Sequence, residues 1–332
     1  MKKVAIIGGG ISGLYIANLL RQNPNYQTIV CEKNNSVNLE KGYGIQLSVN
    51  SIKLLNKIGF QNINSKEKFY PNKVDFYSLK NKKKICDLDI SAFNDAEDKY
   101  TTLQRFTLIN FLKNKLPGNL INYNKKVTKV DHNSENIKIS FGDNSSIECD
   151  YLIISDGIFS KTRSLIANKE IKLQYFSSIA VRATIDQNNL QEVDHNNISL
   201  FLGSDLHSVA YPVNRNGQFN FVSILGKNLN SQQLADYTLF DSNDFVSSAL
   251  LEISKQVDPN IIKNLKDIKC FPIFVSSEIF QSKNKNIFLI GDAFFAFPPT
   301  FAQGASQSIE VAHELYKNFE NENNHFNKER IK

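Results

Sequence analysis

Cysteine is scarce in this chain of 332 residues, and its four cysteines, Cys31, Cys86, Cys149 and Cys270, lie far apart with no CxxC pair. That spacing argues against a zinc site or a disulfide scaffold and suits a reducing cytoplasm. Long apolar runs are lacking too. The hydrophobic stretches near Ile6, Ile153 and Ile290 break well short of the ~18 residues a membrane-spanning helix needs. The N-terminus, Met1-Lys2-Lys3 followed by a short apolar run and glycines, lacks the long apolar segment and small-residue cleavage site of a secretory signal. There is no internal repeat, no long linker and no nucleic-acid recognition motif to accompany the net charge of +6. That charge comes from scattered lysines, with one run at Lys82, Lys83 and Lys84. It reads as a solvated turn in preference to a patch for an anionic cofactor or an acidic membrane.

What is present, 41% hydrophobic and 22% charged residues, is the balance of an ordinary globular protein large enough for two coupled substructures. Val4 to Ile7 is a short buried-strand run that stops at glycines. Ile11 to Leu20 carries helical spacing, and Thr28 to Cys31 is a second strand ending at Glu32. This is the opening of a parallel βαβ unit. Lys73 to Tyr77 and Lys84 to Leu88 form a hairpin around the lysine run. Leu108, Leu112 and Leu116 share a helical face that ends at Pro117-Gly118. Lys125 to Val130, Asn136 to Phe141 and Ser146 to Glu148 make a meander, and Tyr151 to Ile154 is another buried strand. The character then changes to alternating segments at Ile179–Ile185, Ile198–Leu202, His207–Pro212 and Gln218–Leu225, which suit antiparallel sheet. Asn286 to Ile290 restores the buried-strand pattern before Gly291-Asp292. The expected organisation is a nucleotide-binding part from both ends of the chain, 1–172 and 277–332, with the hairpin at 73–90 on the substrate side and a sheet at 173–276 inserted between.

Gly8, Gly10 and Gly13 form a GxGxxG turn between strand and helix. The first glycine permits the tight turn, the second a close approach of pyrophosphate, and the third helix-on-strand packing. Ile11 and Ser12 open the helix, whose free N–H groups face phosphate. Glu32, followed by Lys33, stands about 20 residues on, where an acid accepts from a ribose diol. These features indicate a dinucleotide without separating NAD from FAD.

Two more segments make that separation: Asp150 to Arg163, containing Asp156-Gly157 and Ser160-Lys-Thr-Arg163, and Ile290-Gly291-Asp292-Ala293 with Pro298-Pro299 and Ala302-Gln303-Gly304-Ala305. With the GxGxxG turn, the sequence resembles the para-hydroxybenzoate hydroxylase-like, class A flavin monooxygenases over nearly its whole length, nearest to the salicylate hydroxylase and ubiquinone-biosynthesis hydroxylase branches. The resemblance implies a three-layer α/β, Rossmann-like FAD-binding domain with an inserted antiparallel β-sheet that roofs the substrate. It implies that Asp292 and Gly291 meet the FAD ribityl chain, that Gly304 and Ala305, with Pro299 before them, open a helix facing the pyrimidine ring, and that Asp156-Gly157 lies near the pyrophosphate. Val127 is a further FAD-binding candidate. Arg105, a cation at a helix start where it opposes the dipole, matches an arginine that contacts FAD in the family. Gly42-Tyr43-Gly44-Ile45 resembles the stretch beside the isoalloxazine, and Arg182, His207 and Tyr211 resemble substrate-domain positions. His207 is a candidate to hydrogen-bond or deprotonate a phenol.

The departures from the family are Phe294 and Phe295 where Ala-His is usual, and Ala302 for a glycine. With Phe297 and Phe301 they are expected to wall an apolar pocket, although core packing would explain the same spacings. The function implied is hydroxylation of a small aromatic substrate: NADH or NADPH reduces non-covalent FAD, and the reduced flavin takes up O2 as a C4a-hydroperoxide that attacks the ring. A ubiquinone-precursor ring, with peripheral contact at the inner membrane, is one specific version. A flavin-dependent reductase on the same scaffold and a non-catalytic flavin-binding protein remain alternatives, as does an NAD-dependent dehydrogenase, which would be colourless. A flavin halogenase would need tryptophans, and the chain has none.

Overall fold

The structure, a computed structural model, describes residues 1–37, 43–133, 136–191, 193–320 and 326. Gly42, expected beside the flavin, lies outside them. Among the described residues a parallel sheet has the order Ile287–Leu289, Tyr151–Ile154, Lys2–Ile7, Tyr26–Cys31, Ile121–Asn122. Val4, Ala5, Ile6, Leu152, Ile153 and Ile154 are wholly buried, so both faces of this sheet are covered. On one face lie the helices Ile11–Leu20, Arg105–Asn114 and Gly304–Glu320, sharing a core with Val4, Ile6 and Ile153. On the other lies the meander Val127–His132, Ile137–Phe141, Ser146–Cys149, whose Ile137, Ile139 and Phe141 pack against Ala5, Leu152 and Ile154. The expected three layers are there. The last helix turns Ile309, Ala312, Leu315 and Phe319 inward, the stripe of an amphipathic surface helix.

A larger sheet has the order Lys266–Ser276, Leu173–Asp186, Gln218–Gly226, Leu206–Pro212, Ile198–Leu202, Lys73–Ser78, Lys84–Asp89. The hairpin of the first half of the chain thus joins the sheet of the middle. It does so through one parallel pairing, Ile198–Leu202 on Lys73–Ser78, in a sheet otherwise antiparallel. Lys84 at the hairpin reaches Asp75 at 2.7 Å and Asp87 at 2.9 Å, so part of the lysine run is neutralised locally. Three helices, Ser231–Ala235, Asn243–Ser254 and Pro259–Lys263, stand in a stretch that the sequence reading left without helix. Phe245, Ala249 and Ile253 of the second pack on Ile179, Val181 and Phe221, closing the outer face of the large sheet. Its inner face carries Ala180, Arg182, Val222, Ile224, His207 and Val209, brought side by side by the registers Arg182–Val222, Ala180–Ile224, Val222–Val209 and Ile224–His207. A small sheet, Gly44–Leu47, Thr101–Gln104 and Lys68–Phe69, connects the two bodies.

Candidate active site

The loops that follow the strands of the parallel sheet all leave from its carboxyl edge, where open α/β sheets bind ligands. Four of the expected motifs are such loops. Gly8 turns with φ +107, and a side chain there would strike the Ser155 carbonyl; one at Gly13 would strike the Gly8 carbonyl. The glycine turn is therefore pressed against the Ser155-Asp156 segment, and the Ser155 hydroxyl donates to the Ile7 carbonyl at 2.9 Å. Gly291 turns with φ +59 against Ser12 and Ser308, which joins the Gly-Asp segment to the first and last helices. Arg163, 1% exposed, donates to the Ala293 carbonyl at 3.1 Å and ties the Asp-Gly segment to the Gly-Asp segment.

Three other glycines behave oppositely. A Cβ at Gly10, Gly157 or Gly304 would meet nothing within 4 Å. Each belongs to a different motif, and each leaves backbone open towards the cleft. Gly10 is followed by Ile11, Ser12 and Gly13 with no side-chain cap and no acid in the first turn, so the amide hydrogens of that turn face outward. At the last helix Gln307 N–H reaches back to the Gln303 carbonyl, leaving the amides of Gly304, Ala305 and Ser306 to other partners. Open glycine backbone beside two bare helix starts fits a dinucleotide with a flavin ring: phosphate at one, pyrimidine oxygens at the other.

The ionisable groups agree. Burial raises the Asp292 carboxyl, and Arg105 opposes that rise. Asp292 is nevertheless solvent-accessible, the combination expected on the wall of a cleft enclosed by protein. Arg105 is half-buried, with Asp292 and Arg182 as its charged neighbours, which removes the reading of a solvated surface arginine. Burial also raises Asp156, against hydrogen bonds from the Thr162 hydroxyl at 2.8 Å and its amide at 3.4 Å. Glu32 is buried and accepts from Gly9 N at 2.8 Å and Asn34 N at 3.0 Å. It fixes the phosphate turn and keeps a lone pair on each oxygen for a ribose. Lys33 beside it is exposed, and Pro299 is exposed in a short turn before Gly304.

Other expected site residues are enclosed by protein. Val127 is buried in the core between meander and parallel sheet. Gly44 does permit a close approach, but to the large sheet: its Cβ position lies 2.6 Å from Asn220 Cβ and 2.8 Å from Tyr211 Cε2. The Gly44 amide donates to Asn220 Oδ1 at 2.8 Å, and Ile45 packs on the helical core. Tyr211 is 3% exposed and clustered with Ile90, Ile198 and Val213, its hydroxyl bonded to Gln46. It holds the two bodies together and does not line open space. The four phenylalanines do not share one environment. Phe294 and Phe295 pack in the meander core, while Phe297 and Phe301 are 56% and 82% exposed. The core alternative was the right one for the first pair.

Arg182 and His207 do reach the inner face of the large sheet. The Arg182 guanidinium stacks 5.5 Å over the Tyr43 ring and makes no ion pair among the described residues. Tyr43, which the sequence reading named only as part of the flavin-side stretch, donates its hydroxyl to the Asp267 carbonyl at 2.6 Å and accepts at its own carbonyl from Arg105 N. Burial pushes its pKa up to about 12, with Arg182 opposing. His207 has its pKa lowered by burial and is neutral near pH 7. Two open hollows of about 310 and 350 Å³ lie away from this cleft, behind the small sheet and beside the Arg105–Asn114 helix.

Fold and cradle define an FAD-dependent oxidoreductase. The chain belongs to the FAD-binding-domain family, whose model matches residues 1–325. Its relatives are named as monooxygenases and hydroxylases, several of them of aromatic rings. The 3-amino-4-hydroxybenzoate 2-monooxygenase of Streptomyces platensis is 23% identical, over 93% of this chain and 77% of its own. The 6-hydroxynicotinate 3-monooxygenase of Bordetella bronchiseptica is 23% identical, over 96% and 82%. A salicylate hydroxylase of Pseudomonas putida is 22% identical, over 94% and 76%. Among solved structures, Klebsiella pneumoniae HpxO complexed with FAD and uric acid superposes with a TM-score of 0.81 at 19% identity, covering 96% of this chain and 79% of that one.

Proposed function

We propose that the protein takes electrons from NADH or NADPH and hydroxylates a small aromatic ring bearing an acidic or phenolic group. The observation that carries this reading is Arg182, a half-buried guanidinium with no ion-pair partner among the described residues, set with neutral His207 beside Val209, Val222 and Ile224 on the sheet face that looks towards the cofactor cleft. An arginine so placed matches a ring carboxylate in charge and shape. Neutral His207 can accept a phenol proton and so enrich the ring. Val209, Val222 and Ile224 supply apolar surface for the ring itself and keep water from it. Bound FAD supplies oxygen activation once it is reduced. No second glycine-rich turn houses the nicotinamide donor, so a transient approach is expected.

A prenylated quinone precursor is the rival substrate, with peripheral attachment to an anionic membrane as its corollary. Its support was an aromatic wall from Phe294 to Phe301, and those rings are divided between core and solvent. Among the described residues no helix is long and apolar enough to cross a membrane, which leaves peripheral attachment to be tested by vesicle cosedimentation. The deciding experiment is NAD(P)H oxidation and O2 uptake with the purified yellow protein, screened over hydroxybenzoates, hydroxynicotinates and simple phenols. Stoichiometric oxygen-dependent hydroxylation of a small ring acid supports the reading. Product formed without oxygen would move the protein to the reductases, and silence across the panel with a prenyl-phenol building up in a deletion strain would restore the quinone version.

A further inference from the structure

Behind the small sheet lies a hollow of about 310 Å³ that plays no part in the cleft described above; Lys68, Lys99, Tyr70, Asn56, Gln61 and Thr101 are among its lining residues. Lys68 is 4% exposed. Its ammonium donates to the Gln61 carbonyl at 3.1 Å and the Phe60 carbonyl at 3.5 Å and lies 5.3 Å from the Phe60 ring centroid. Among the described residues no carboxylate pairs with it, and burial lowers its pKa with no acid opposing. A buried cation without a counter-charge is costly unless something completes it. Two further cations converge on the same wall: Lys99 stands 5.6 Å and Arg215 5.9 Å from the Tyr70 ring centroid. The one acid on the lining, Glu97, is exposed and makes no ion pair with either lysine.

We propose that this hollow is a second binding site, for a small anion carrying a carboxylate or a phosphate, with Lys68 as its buried counter-charge and Lys99 at its mouth. The volume admits an organic acid and not only a bare ion. Tyr70, Phe60 and Ile52 add apolar lining, while Asn56, Gln61 and Thr101 add neutral polar residues. The site is separate from substrate recognition, because none of its lining residues belongs to the large sheet that carries Arg182.

The test uses the FAD-loaded protein at constant ionic strength, comparing its thermal midpoint in chloride with that in benzoate, citrate or inorganic phosphate. Wild type should gain stability from at least one of the three over chloride, and Lys68→Met should lose that gain while keeping its FAD. Dissociation constants should weaken about ten- to a hundred-fold on loss of one charge-assisted contact. The carboxylate and phosphate arms identify which source fits. If Lys68→Met does not fold, Lys99→Gln, at the mouth, should still weaken the gain. No gain over chloride in wild type, or the same gain in whichever variant folds, overturns the proposal. Arg182→Gln serves as the control for binding at the substrate face: it should leave the gain intact, and if it abolishes the gain the anion binds there instead.

Discussion

At the scale of single residues, the glycines divide by what their missing side chains would meet. Gly8 and Gly13 are glycine because protein is in the way, and Gly10 because protein is not. Gly10 has φ −83, a conformation open to any residue, so Gly10→Val strains nothing in the fold. The variant should therefore fold with unchanged far-UV circular dichroism and purify without FAD. Retention of a full complement of flavin would show that Gly10 does not border the cofactor. Arg105 makes the complementary case. It sits at a helix start with no acid in the first turn, half-buried, with only Asp292 offsetting Arg182. An anionic cofactor relieves that excess of positive charge. Arg105→Ala should weaken FAD binding by about one to two decades, the loss of a charge-assisted contact of about 1.5–3 kcal/mol. Flavin titration of the apoprotein measures it, and unchanged affinity would assign Arg105 to packing alone.

At the scale of elements, the strand Gly44–Leu47 shows how the two bodies are coupled. It pairs with Thr101–Gln104 while its first residue presses on Asn220, Tyr211 and Val213 of the large sheet. Replacing Gly44 with alanine puts a methyl group where no atom fits, an overpacking that costs about 1–3 kcal/mol. Gly44→Ala should lower the urea midpoint of unfolding while leaving the Gly10 cradle in place. An unchanged midpoint would mean that the two bodies yield freely here. The sequence showed a glycine and suggested a close approach, but long-range packing decided what approaches. The same limit explains the rest. The parallel strands, the meander and the hairpin were legible because each is a local run of apolar residues between turn signals. The helix Asn243–Ser254 carried a readable stripe at Phe245, Ala249 and Ile253, yet the surrounding strands drew it into a sheet reading. Phe294 to Phe301 looked like one wall because they are adjacent in sequence, whereas Phe294 and Phe295 turn into the meander core, Phe297 lies against Phe295 at 4.9 Å yet stays exposed, and Phe301 is exposed in the short turn Pro299–Phe301. The stacking of Arg182 on Tyr43 joins residues far apart in the chain, and no spacing in the sequence announces it.

At the scale of the whole molecule, the beginning and end of the chain meet at His313. The ring is 6% exposed on the last helix. Its Nδ1 lies 3.4 Å from the hydroxyl of Tyr15, on the first helix, and its Nε2 lies 3.5 Å from the Lys57 ammonium. The Tyr15 hydroxyl donates to the Leu54 carbonyl at 3.2 Å, so its oxygen is free to accept from His313 Nδ1–H. Nε2 is then the acceptor for Lys57, and the histidine is neutral. A second proton would set the buried imidazolium against the Lys57 ammonium. Burial accordingly lowers the His313 pKa, with Lys57 and Lys317 adding to the effect. As pH falls through the ordinary histidine value near 6.5, the unfolded chain takes up a proton that the folded one refuses, and folding stability declines. His207, also lowered by burial, acts in the same direction. Asp292 and Asp156, raised by burial, act in the opposite one. All three other groups are unchanged in a His313→Gln variant, so the difference between the two proteins isolates His313. Urea unfolding at pH 7.5 and 5.5 should show wild type losing more stability on acidification than His313→Gln, at about 1.4 kcal/mol per unit of pKa displacement. Equal losses in the two proteins would mean that His313 is protonated in the folded state despite Lys57, and that the contact between the first and last helices carries no pH dependence.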